Sequence, residues 1–328
     1  MTSKILVTGT AGFIGTQLAK KLAESGFNVL GIDLRVPDDE RIAARTEVID
    51  LLDSEALLKC VSSFAPRYVV HLAARTDLDE EKDIYGYASN FIGTTNLMQA
   101  IDSTPEVERV LFTSSQLVCE VGHIPTSPDE YCPSNLYGES KVEMEKRILA
   151  ASPSTYEWCI LRPTTIWGEG MSAHYQSFLR TLERGFYFHF GDSPLHKSYG
   201  YVGNTVHQIL KFLEAPMEAI HGKTFYLADY EPLSLRSWTE ALASQLNVAK
   251  PRTFPLAIAR IAARLGDAAA KVNVPVPFNS FRLNNILTEY VFDLEPTRKI
   301  CGDPLPFSID AGVTRTINWY RTLSDTVA

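Results

Sequence analysis

KILVTGTAGFIG, residues 4 to 15, is the stretch that decides the fold of this chain of 328 residues. Residues 5 to 7 form a short apolar run typical of a buried parallel strand, and the apolar positions between 13 and 22 follow a helical spacing. A strand, a glycine turn and a helix start make a cradle for anions, because the first N–H groups of a helix have no partner within it. The spacing predicts a dinucleotide site with three glycine roles: Gly9 permits the tight turn, Gly12 lets a pyrophosphate approach the backbone, and Gly15 lets the helix pack close to the strand.

The composition is that of an ordinary globular protein with an acidic balance. Apolar residues make up 45% of the chain, and its length corresponds to about two domains. The net charge of −8 argues against a nucleic acid or an anionic membrane as the main partner, because nothing general attracts phosphate groups. No stretch approaches the ~18 uninterrupted apolar residues of a membrane-spanning helix. We therefore expect a small-molecule partner, no nucleic acid and no membrane span.

The cysteines indicate a reducing compartment. The chain has five, an odd number, and they are scattered without a Cys-x-x-Cys pair. This pattern suits a reduced protein better than a disulfide framework, and it also argues against a zinc site, so we expect no metal. The first residues, MTSK, run directly into the first strand and leave no room for a signal peptide. These features predict a cytoplasmic protein.

A second apolar run, residues 28 to 33, ends in Asp33. In a βαβ nucleotide unit, a carboxylate about 20 residues after the glycine loop accepts hydrogen bonds from the adenosine ribose. Asp33 therefore favours NAD, since a 2′-phosphate would meet its negative charge. Arg35 keeps NADP open, because a guanidinium at this position can pair with that phosphate.

Four further strands are predicted at residues 46–49, 68–72, 109–113 and 158–162, with helices between them. Strands that alternate with helices indicate a parallel sheet covered on both faces, and a ligand crevice lies at the carboxyl ends of such strands. Beyond Gly168 the alternation loosens into helices and isolated strands. This change predicts a second, smaller domain.

Tyr137 and Lys141, at positions i and i+4, share one face of a predicted helix. A tyrosine, with an ordinary pKa of about 10, is a poor base at neutral pH unless a positive charge stabilises the phenolate. We expect Lys141, helped by an oxidised nicotinamide, to lower the pKa of Tyr137 so that it takes a proton from a substrate hydroxyl as hydride leaves the carbon. Ser115, at the end of the fifth strand, would hold the same substrate oxygen.

In this order, the motifs resemble the extended short-chain dehydrogenases/reductases of the NAD-dependent epimerase/dehydratase type. The resemblance rests on TGTAGFIG (8–15), Asp33, Asp50-Leu51, HLAA (71–74), Asn90 with Gly93-Thr94, TSSQLV (113–118), PSNLYGESK (133–141), LRPTTIWG (161–168) and PFSIDAGVTRTINWY (306–320). It implies an α/β fold: a Rossmann-like, doubly wound parallel sheet in residues 1–167, and a smaller, mixed α/β substrate domain in residues 168–328. Residues of about 200–228 are candidates for a return to the first domain.

The resemblance also implies roles for individual residues. Ser115, Tyr137 and Lys141 correspond to the catalytic trio, and Lys141 would also bind the nicotinamide ribose. The implied cofactor contacts are Gly9, Gly12, Phe13, Ile14 and Gly15 for the pyrophosphate, Asp33 for the ribose, Asp50 and Leu51 for the adenine, and Ala73, Ala74, Asn90 and Pro163 for the nicotinamide side. Lys197 and Arg282 resemble the residues that bind a substrate diphosphate in nucleotide-sugar enzymes, with ordinary surface charges as the alternative.

Three departures from the family pattern concern the substrate. Gln116-Leu117 stands where a 4,6-dehydratase has an Asp-Glu pair, so dehydration is disfavoured. Cys119 replaces a common tyrosine, and Thr165 replaces a common asparagine in the substrate pocket. The stretches 255–265 and 281–293 also resemble the hydroxysteroid-dehydrogenase-like branch, whose substrates are more hydrophobic.

Three functions follow as hypotheses. The first is an NAD(P)-dependent oxidoreductase acting on a nucleotide sugar, either as a C4 epimerase or as a 4-ketosugar reductase. The second is a dehydrogenase or reductase of a small lipophilic alcohol or ketone. The third is a non-catalytic NAD(P) sensor, which the intact Ser115, Tyr137 and Lys141 argue against. The resemblance further implies a homodimer built from helices of the first domain.

Overall fold

The computed structural model describes residues 3–80, 82–151, 155–270 and 278–325. The strands, in chain order, are β1 (Lys4–Thr8), β2 (Asn28–Asp33), β3 (Thr46–Val48), β4 (Tyr68–His71), β5 (Arg109–Thr113), β6 (Glu157–Pro163), β7 (Thr165–Trp167), β8 (Phe188–Phe190), β9 (His196–Lys197), β10 (Tyr199–Tyr201), β11 (Lys223–Leu227), β12 (Leu233–Ser234) and β13 (Arg252–Phe254).

The α-helices, in the same order, are α1 (Phe13–Glu24), α2 (Glu40–Ala43), α3 (Ser54–Phe64), α4 (Ala88–Asp102), α5 (Leu136–Ala150), α6 (Ala173–Glu183), α7 (Val202–Glu214), α8 (Met217–Ile220), α9 (Leu235–Leu246), α10 (Leu256–Ala270), α11 (Ser280–Leu287), α12 (Glu295–Cys301) and α13 (Ile309–Asp325). Two 3₁₀ turns, Ile84–Tyr87 and Gln116–Val118, precede α4 and follow β5. Within the described residues, none of the helices combines the length and apolar character needed to cross a membrane.

Seven strands form one sheet in the order β11-β6-β5-β4-β1-β2-β3, and every pairing in it is parallel. This doubly wound arrangement confirms the predicted Rossmann-like fold. β11 lies at the edge of the sheet beside β6, so residues 223–227 rejoin the part of the chain that comes first. The domain boundary at residues 167 and 168 stays a prediction.

The sheet is covered on both faces because its strands are apolar on both faces. In β1, Ile5 and Val7 face a layer that contains α1 and α7, while Leu6 faces a layer that contains α3, α4 and α5. Successive side chains of a strand point to opposite faces of the sheet. The apolar side chains of such a strand are therefore shielded from water only when helices cover both faces. The carboxyl ends of the strands remain uncovered by these layers, and all of them lie at one edge.

A third apolar cluster supports the loops above that edge. It includes Trp167, Tyr201, Trp238 and Ile317, from β7, β10, α9 and α13. β7 pairs with β10 in a separate two-stranded sheet. The segment that follows Pro163 therefore packs against elements from the C-terminal half of the chain.

One ion pair is completely enclosed between α5 and β6. Arg162 donates to both carboxylate oxygens of Glu145, from Nε at 2.9 Å and from Nη2 at 2.7 Å, and each side chain is 1% exposed. The remaining polar atoms are also used, because Arg162 donates to Pro128 O and to the Tyr226 hydroxyl, and the Tyr131 hydroxyl donates to Glu145. A fully hydrogen-bonded pair of this kind holds the helix that carries Tyr137 to the central sheet.

Glu145→Gln should lower the free energy of unfolding by about 3–5 kcal/mol, because it leaves the Arg162 charge buried without its counter-ion. Urea unfolding measures the change. The matched control is Glu143→Gln on the same helix, whose pair with Arg147 is half exposed, and which should change stability by no more than about 0.5 kcal/mol. Equal effects of the two substitutions would contradict this role of the ion pair.

Candidate active site

The glycine turn between β1 and α1 has the close contacts that its sequence predicts. Gly9 has φ of +81°, a conformation that L side chains rarely adopt. A Cβ atom at Gly9 would lie 2.7 Å from Ala73 N, and one at Gly15 would lie 1.9 Å from Gly9 O. The turn therefore needs glycine at both positions, and it packs directly against the end of β4.

The N-terminus of α1 is open toward the crevice. Its N-cap residue is Gly12, which offers no side-chain cap to the helix N–H groups. Asp33 fixes the preceding residue instead, because its Oδ2 accepts from Ala11 N at 2.8 Å, while Arg35 donates to Ala11 O at 2.9 Å. Asp33 and Arg35 thus lie together at the turn, where the sequence predicts the adenosine ribose.

The other predicted cofactor residues follow the edge of the sheet. Asp50 is exposed and Leu51 is buried, with its side chain against Gly93 of α4. Ala73 and Ala74 are half-buried after β4, and Pro163 is buried at the end of β6. Phe13 and Ile14 begin α1 and pack against the apolar cluster around Trp167.

Asn90 has a structural role that its sequence does not reveal. Its Oδ1 accepts from Arg75 N at 2.8 Å, and its Nδ2 donates to Arg75 O at 3.0 Å and to Ser140 Oγ at 2.9 Å. The side chain is completely buried. Asn90 therefore connects the segment after β4 to α5. Through these hydrogen bonds it positions Arg75 and Ser140.

His71 joins three elements beneath the site. Its Nδ1 lies 2.7 Å from Thr8 Oγ1 and its Nε2 lies 2.8 Å from Thr94 Oγ1. Burial lowers the pKa of His71 to about 3, and the nearby charge of Lys141 contributes to a smaller extent. The imidazole is therefore neutral at physiological pH and acts as a hydrogen-bonding bridge between β1, β4 and α4.

Ser115, Tyr137 and Lys141 are all buried at the carboxyl edge of the sheet. The side chains of Ser115 and Tyr137 lie next to each other, and Ser115 Oγ accepts from Leu117 N at 3.1 Å. Lys141 donates from Nζ to Thr113 O, at the end of β5, at 2.9 Å. The fold thus brings the three predicted residues to one place.

The predicted lowering of the Tyr137 pKa depends on an oxidised nicotinamide as well as on Lys141, and it stays a prediction. Burial raises the pKa of Tyr137 to about 12, and the neighbouring Ser115 side chain opposes this rise only in part. Lys141 is itself affected by burial, which lowers its pKa to about 8. Its ammonium group is directed to the backbone of β5, so Tyr137 is a protonated phenol, ready to donate.

A group of polar and aromatic side chains lies next to this trio, and its tyrosines were not found from the sequence. Thr165, predicted for the substrate pocket, accepts from Gln116 Nε2 at 3.4 Å and hydrogen-bonds with Tyr175 and Tyr290. Tyr290 also hydrogen-bonds with Gln116, and the proximity of Tyr175 raises the pKa of Tyr137. Tyr175 and Tyr290 are separated by more than 100 residues of sequence, and only the fold reveals that both lie beside Thr165.

Lys197 and Arg282 meet at α11. Lys197 is buried, and its Nζ donates to Asn285 O at 2.8 Å and lies 5.1 Å from the centre of the Tyr290 ring. Burial lowers the pKa of Lys197 to about 8. Arg282 is exposed in the first turn of the same helix. The two residues predicted for a diphosphate therefore both lie at this short helix.

Comparison with known proteins places the chain in a class of enzymes. The model of the NAD dependent epimerase/dehydratase family matches residues 5–228. The chain belongs to this family, an enzyme family of the extended short-chain dehydrogenase/reductase type.

Three similar proteins illustrate the range of the family. The chain is 32% identical to a UDP-glucose 4-epimerase from Vibrio cholerae over 75% of this chain and 77% of that protein. It is 26% identical to a 2-alkyl-3-oxoalkanoate reductase from Stenotrophomonas maltophilia, over 95% of this chain and 98% of that protein. The structure of a UDP-glucose 4-epimerase from Thermotoga maritima with UDP-glucose superposes with a TM-score of 0.75 at 22% identity, covering 98% and 99% of the two chains.

The family confirms NAD as the expected cofactor class, and the site has groups suited to it. The helix start at Gly12 offers N–H groups to a pyrophosphate. Within the part of the chain that the structure describes, Thr113 Oγ1 and Ser114 Oγ are buried hydroxyl oxygens without a hydrogen-bond partner. Both lie at the end of β5 beside Ser115, where a bound ligand can satisfy them.

Gly15→Ala should be more disruptive than Gly12→Ala. The new Cβ would lie 1.9 Å from the Gly9 carbonyl in the first case and 3.1 Å from it in the second. We expect Gly15→Ala to lower the free energy of unfolding by about 1–3 kcal/mol, because backbone must move to admit the methyl group. Urea unfolding of the two variants tests this, and a more stable Gly15→Ala than Gly12→Ala would refute the packing.

Lys141→Met should stabilise the protein at pH 7 by about 1–2 kcal/mol. The folded pKa of about 8 lies below the ordinary 10.5, so the buried ammonium destabilises the fold by about 3 kcal/mol. The substitution also removes the hydrogen bond to Thr113 O, and this loss offsets about 1 kcal/mol of the stabilisation. The penalty is complete below pH 8 and disappears as the pH rises toward 10.5.

Thermal and urea unfolding at pH 7 and pH 10 measure this effect. The control is Lys146→Met, an exposed lysine on the same helix, which should change little at either pH. A Lys141→Met variant that is less stable than wild type at pH 7 would contradict the argument.

Proposed function

We propose that this protein is an NAD-dependent C4 epimerase of a nucleotide sugar. The observation that carries the proposal is the meeting of Ser115, Tyr137 and Lys141 at the sheet edge, beside a glycine turn that can hold a dinucleotide. The 32% identity to a UDP-glucose 4-epimerase supports a UDP-hexose as the substrate. NAD is favoured over NADP because Asp33 stands at the ribose position and the Arg35 guanidinium already binds Ala11 O.

Each residue of the trio has a distinct task. NAD, when bound, supplies an acceptor for the hydride that leaves C4 of the sugar. Tyr137 takes the hydroxyl proton in that direction and donates it in return, and the positive charge of the oxidised nicotinamide offsets the burial that raises its pKa. Ser115, which lies beside Tyr137, would hydrogen-bond the same substrate oxygen. Lys141 binds a ribose hydroxyl and keeps Tyr137 within a positive field.

The substrate diphosphate is assigned to the region of α11. Lys197 and Arg282 lie on this helix or against it, and a diphosphate would replace the Asn285 carbonyl as the partner of the Lys197 ammonium. The hydroxyl groups of Thr165, Tyr175 and Tyr290 would then face the sugar. These hydroxyl groups interact with one another, and each could replace that interaction with a hydrogen bond to a sugar hydroxyl at little cost in free energy.

Epimerisation is preferred to a 4-ketosugar reductase reaction. An epimerase returns the hydride to the same carbon and keeps one cofactor, whereas a reductase must exchange its cofactor at each turnover. Two relatives that act on nucleotide-linked or lipid-linked sugars are 4-epimerases, which favours the first reaction.

A second candidate function is reduction of a lipophilic ketone, as in the 2-alkyl-3-oxoalkanoate reductase. The specific observation in its favour is the apolar face of α10, where Ile258, Ile261 and Leu265 are 53%, 61% and 67% exposed. The aromatic rings of Tyr175, Tyr199 and Tyr290 beside Lys197 would also suit an apolar substrate.

Conversion of UDP-glucose to UDP-galactose without added cofactor tests the first proposal. Tyr137→Phe should lower kcat/KM by about 10²- to 10⁴-fold, because it removes the acid and base. The control Tyr85→Phe changes an exposed ring and should keep the wild-type rate. Full turnover in Tyr137→Phe would sink the catalytic assignment.

Failure of UDP-, GDP- and dTDP-sugars to raise the melting temperature in the presence of NAD would reject a nucleotide sugar. Oxidation of NADH by an alkyl 3-oxo acid under the same conditions would then establish the second candidate. The homodimer stays a prediction, for which helices of the first domain, including α5, are the candidate interface, and chromatography at working concentration tests it.

A further inference from the structure

Three potential metal ligands meet outside the trio, in the segment that leads from Ser115 to Tyr137. They are the Sγ atoms of Cys119 and Cys132 and a ring nitrogen of His123, and all three atoms lie within 4.8 Å of one another. Cys119 is buried, while His123 and Cys132 are half-buried. In a tetrahedral zinc site the ligand atoms lie about 2.0–2.3 Å from the metal. The three atoms here are therefore close enough together to bind one ion after a small movement of the side chains.

The backbone brings the two cysteines together. An isolated parallel bridge pairs Cys119 with Cys132, in which Cys132 N donates to Val118 O at 3.0 Å and Glu120 N donates to Cys132 O at 2.9 Å. The pairing closes a loop over residues 120–131, and His123 lies within this loop. The convergence of the three side chains is therefore set by hydrogen bonds of the main chain.

Glu130 orients the histidine. Its Oε1 lies 2.6 Å from His123 Nε2, and its Oε2 accepts from Thr126 N at 2.7 Å and from Thr126 Oγ1 at 2.8 Å. A carboxylate that holds one ring nitrogen fixes the tautomer and leaves the lone pair on the other nitrogen. Histidines that bind a metal usually donate the other ring N–H to a carboxylate, a backbone carbonyl or a water molecule, and Glu130 supplies the first of these.

We propose that Cys119, His123 and Cys132 bind one Zn²⁺ ion, with Glu130 positioning His123 and a water molecule as the fourth ligand. Two sulfurs and one imidazole suit zinc, whereas Ca²⁺ and Mg²⁺ require oxygen ligands. Binding forms two Zn–S bonds and one Zn–N bond, and it releases the two thiol protons to solvent. The site joins the segment after Ser115 to the segment before Tyr137.

This site does not depend on the proposed function, and it reverses the expectation of no metal. That expectation used the absence of a Cys-x-x-Cys pair, which considers only neighbours along the chain. Here the two cysteines are separated by a loop, and the local signal is the Cys119-x-x-x-His123 spacing.

Zinc titration of the full-length, metal-free protein in a phosphine reductant, in competition with a chromophoric chelator, tests the proposal. We expect wild type to bind one Zn²⁺ per chain, and Co²⁺ in its place to give the thiolate charge-transfer absorption of a tetrahedral site. Cys132→Ser and His123→Ala should each weaken binding by at least about tenfold, and Glu130→Gln by about 10- to 100-fold. Cys60→Ser, a half-buried cysteine in α3, is the matched control and should bind as wild type does.

Melting temperatures of the metal-free variants separate loss of a ligand from loss of the fold. Addition of Zn²⁺ should raise the melting temperature of wild type and Cys60→Ser, but not that of Cys132→Ser, even where the metal-free values agree. Equal zinc affinity in wild type, Cys132→Ser and His123→Ala would mean an adventitious surface ion and would overturn the proposal. A Cys119–Cys132 disulfide that persists in the reductant, detected as a mass two hydrogens lower, would overturn it as well.

Discussion

The approach of Gly15 to the carbonyl of Gly9 is the constraint on which the site depends. A single methyl group at Gly15 would overlap that oxygen, so the first turn of α1 can lie directly against the end of β1 only with glycine there. The same turn contacts Ala73 through Gly9 and is fixed by Asp33 through Ala11. The start of α1, the end of β4 and the end of β2 are thereby held as one rigid corner.

The trio is built onto this corner by buried polar groups. His71 joins β1, β4 and α4, and Asn90 joins the segment after β4 to α5. The Glu145–Arg162 pair then holds α5 to β6. These contacts hold Tyr137 and Lys141 in a buried position. Burial raises the pKa of Tyr137, which stays protonated, and lowers the pKa of Lys141, whose ammonium group is destabilised. A bound, positively charged nicotinamide would offset the burial that disfavours the Tyr137 phenolate.

The sequence contained the information for the local features. Strands β2 and β5 have the predicted bounds, since short apolar runs between turn residues are local signals. The i, i+4 spacing of Tyr137 and Lys141 was likewise sufficient to place them on one helix. The family motifs then indicated the Rossmann-like sheet, which the strand order confirms.

The features that the sequence did not reveal depend on contacts between distant segments. Tyr175 and Tyr290 meet Thr165 only through the packing of the C-terminal part of the chain. The raised pKa of Tyr137 follows from burial, which no spacing expresses. The hydrogen bonds of Asn90 could not be predicted, because its partners, Arg75 and Ser140, are not adjacent to it in the sequence. The pairing of Cys119 with Cys132 across a loop was missed for the same reason.

The central claim is that this site removes a hydrogen from C4 of a nucleotide sugar and returns it to the same carbon. The most direct measurement uses UDP-glucose with deuterium at C4, the purified protein and no added cofactor, followed by mass spectrometry and NMR of the product. The account predicts UDP-galactose that retains deuterium at C4. Formation of UDP-galactose in which C4 carries hydrogen from solvent, or no UDP-galactose at all, would contradict it.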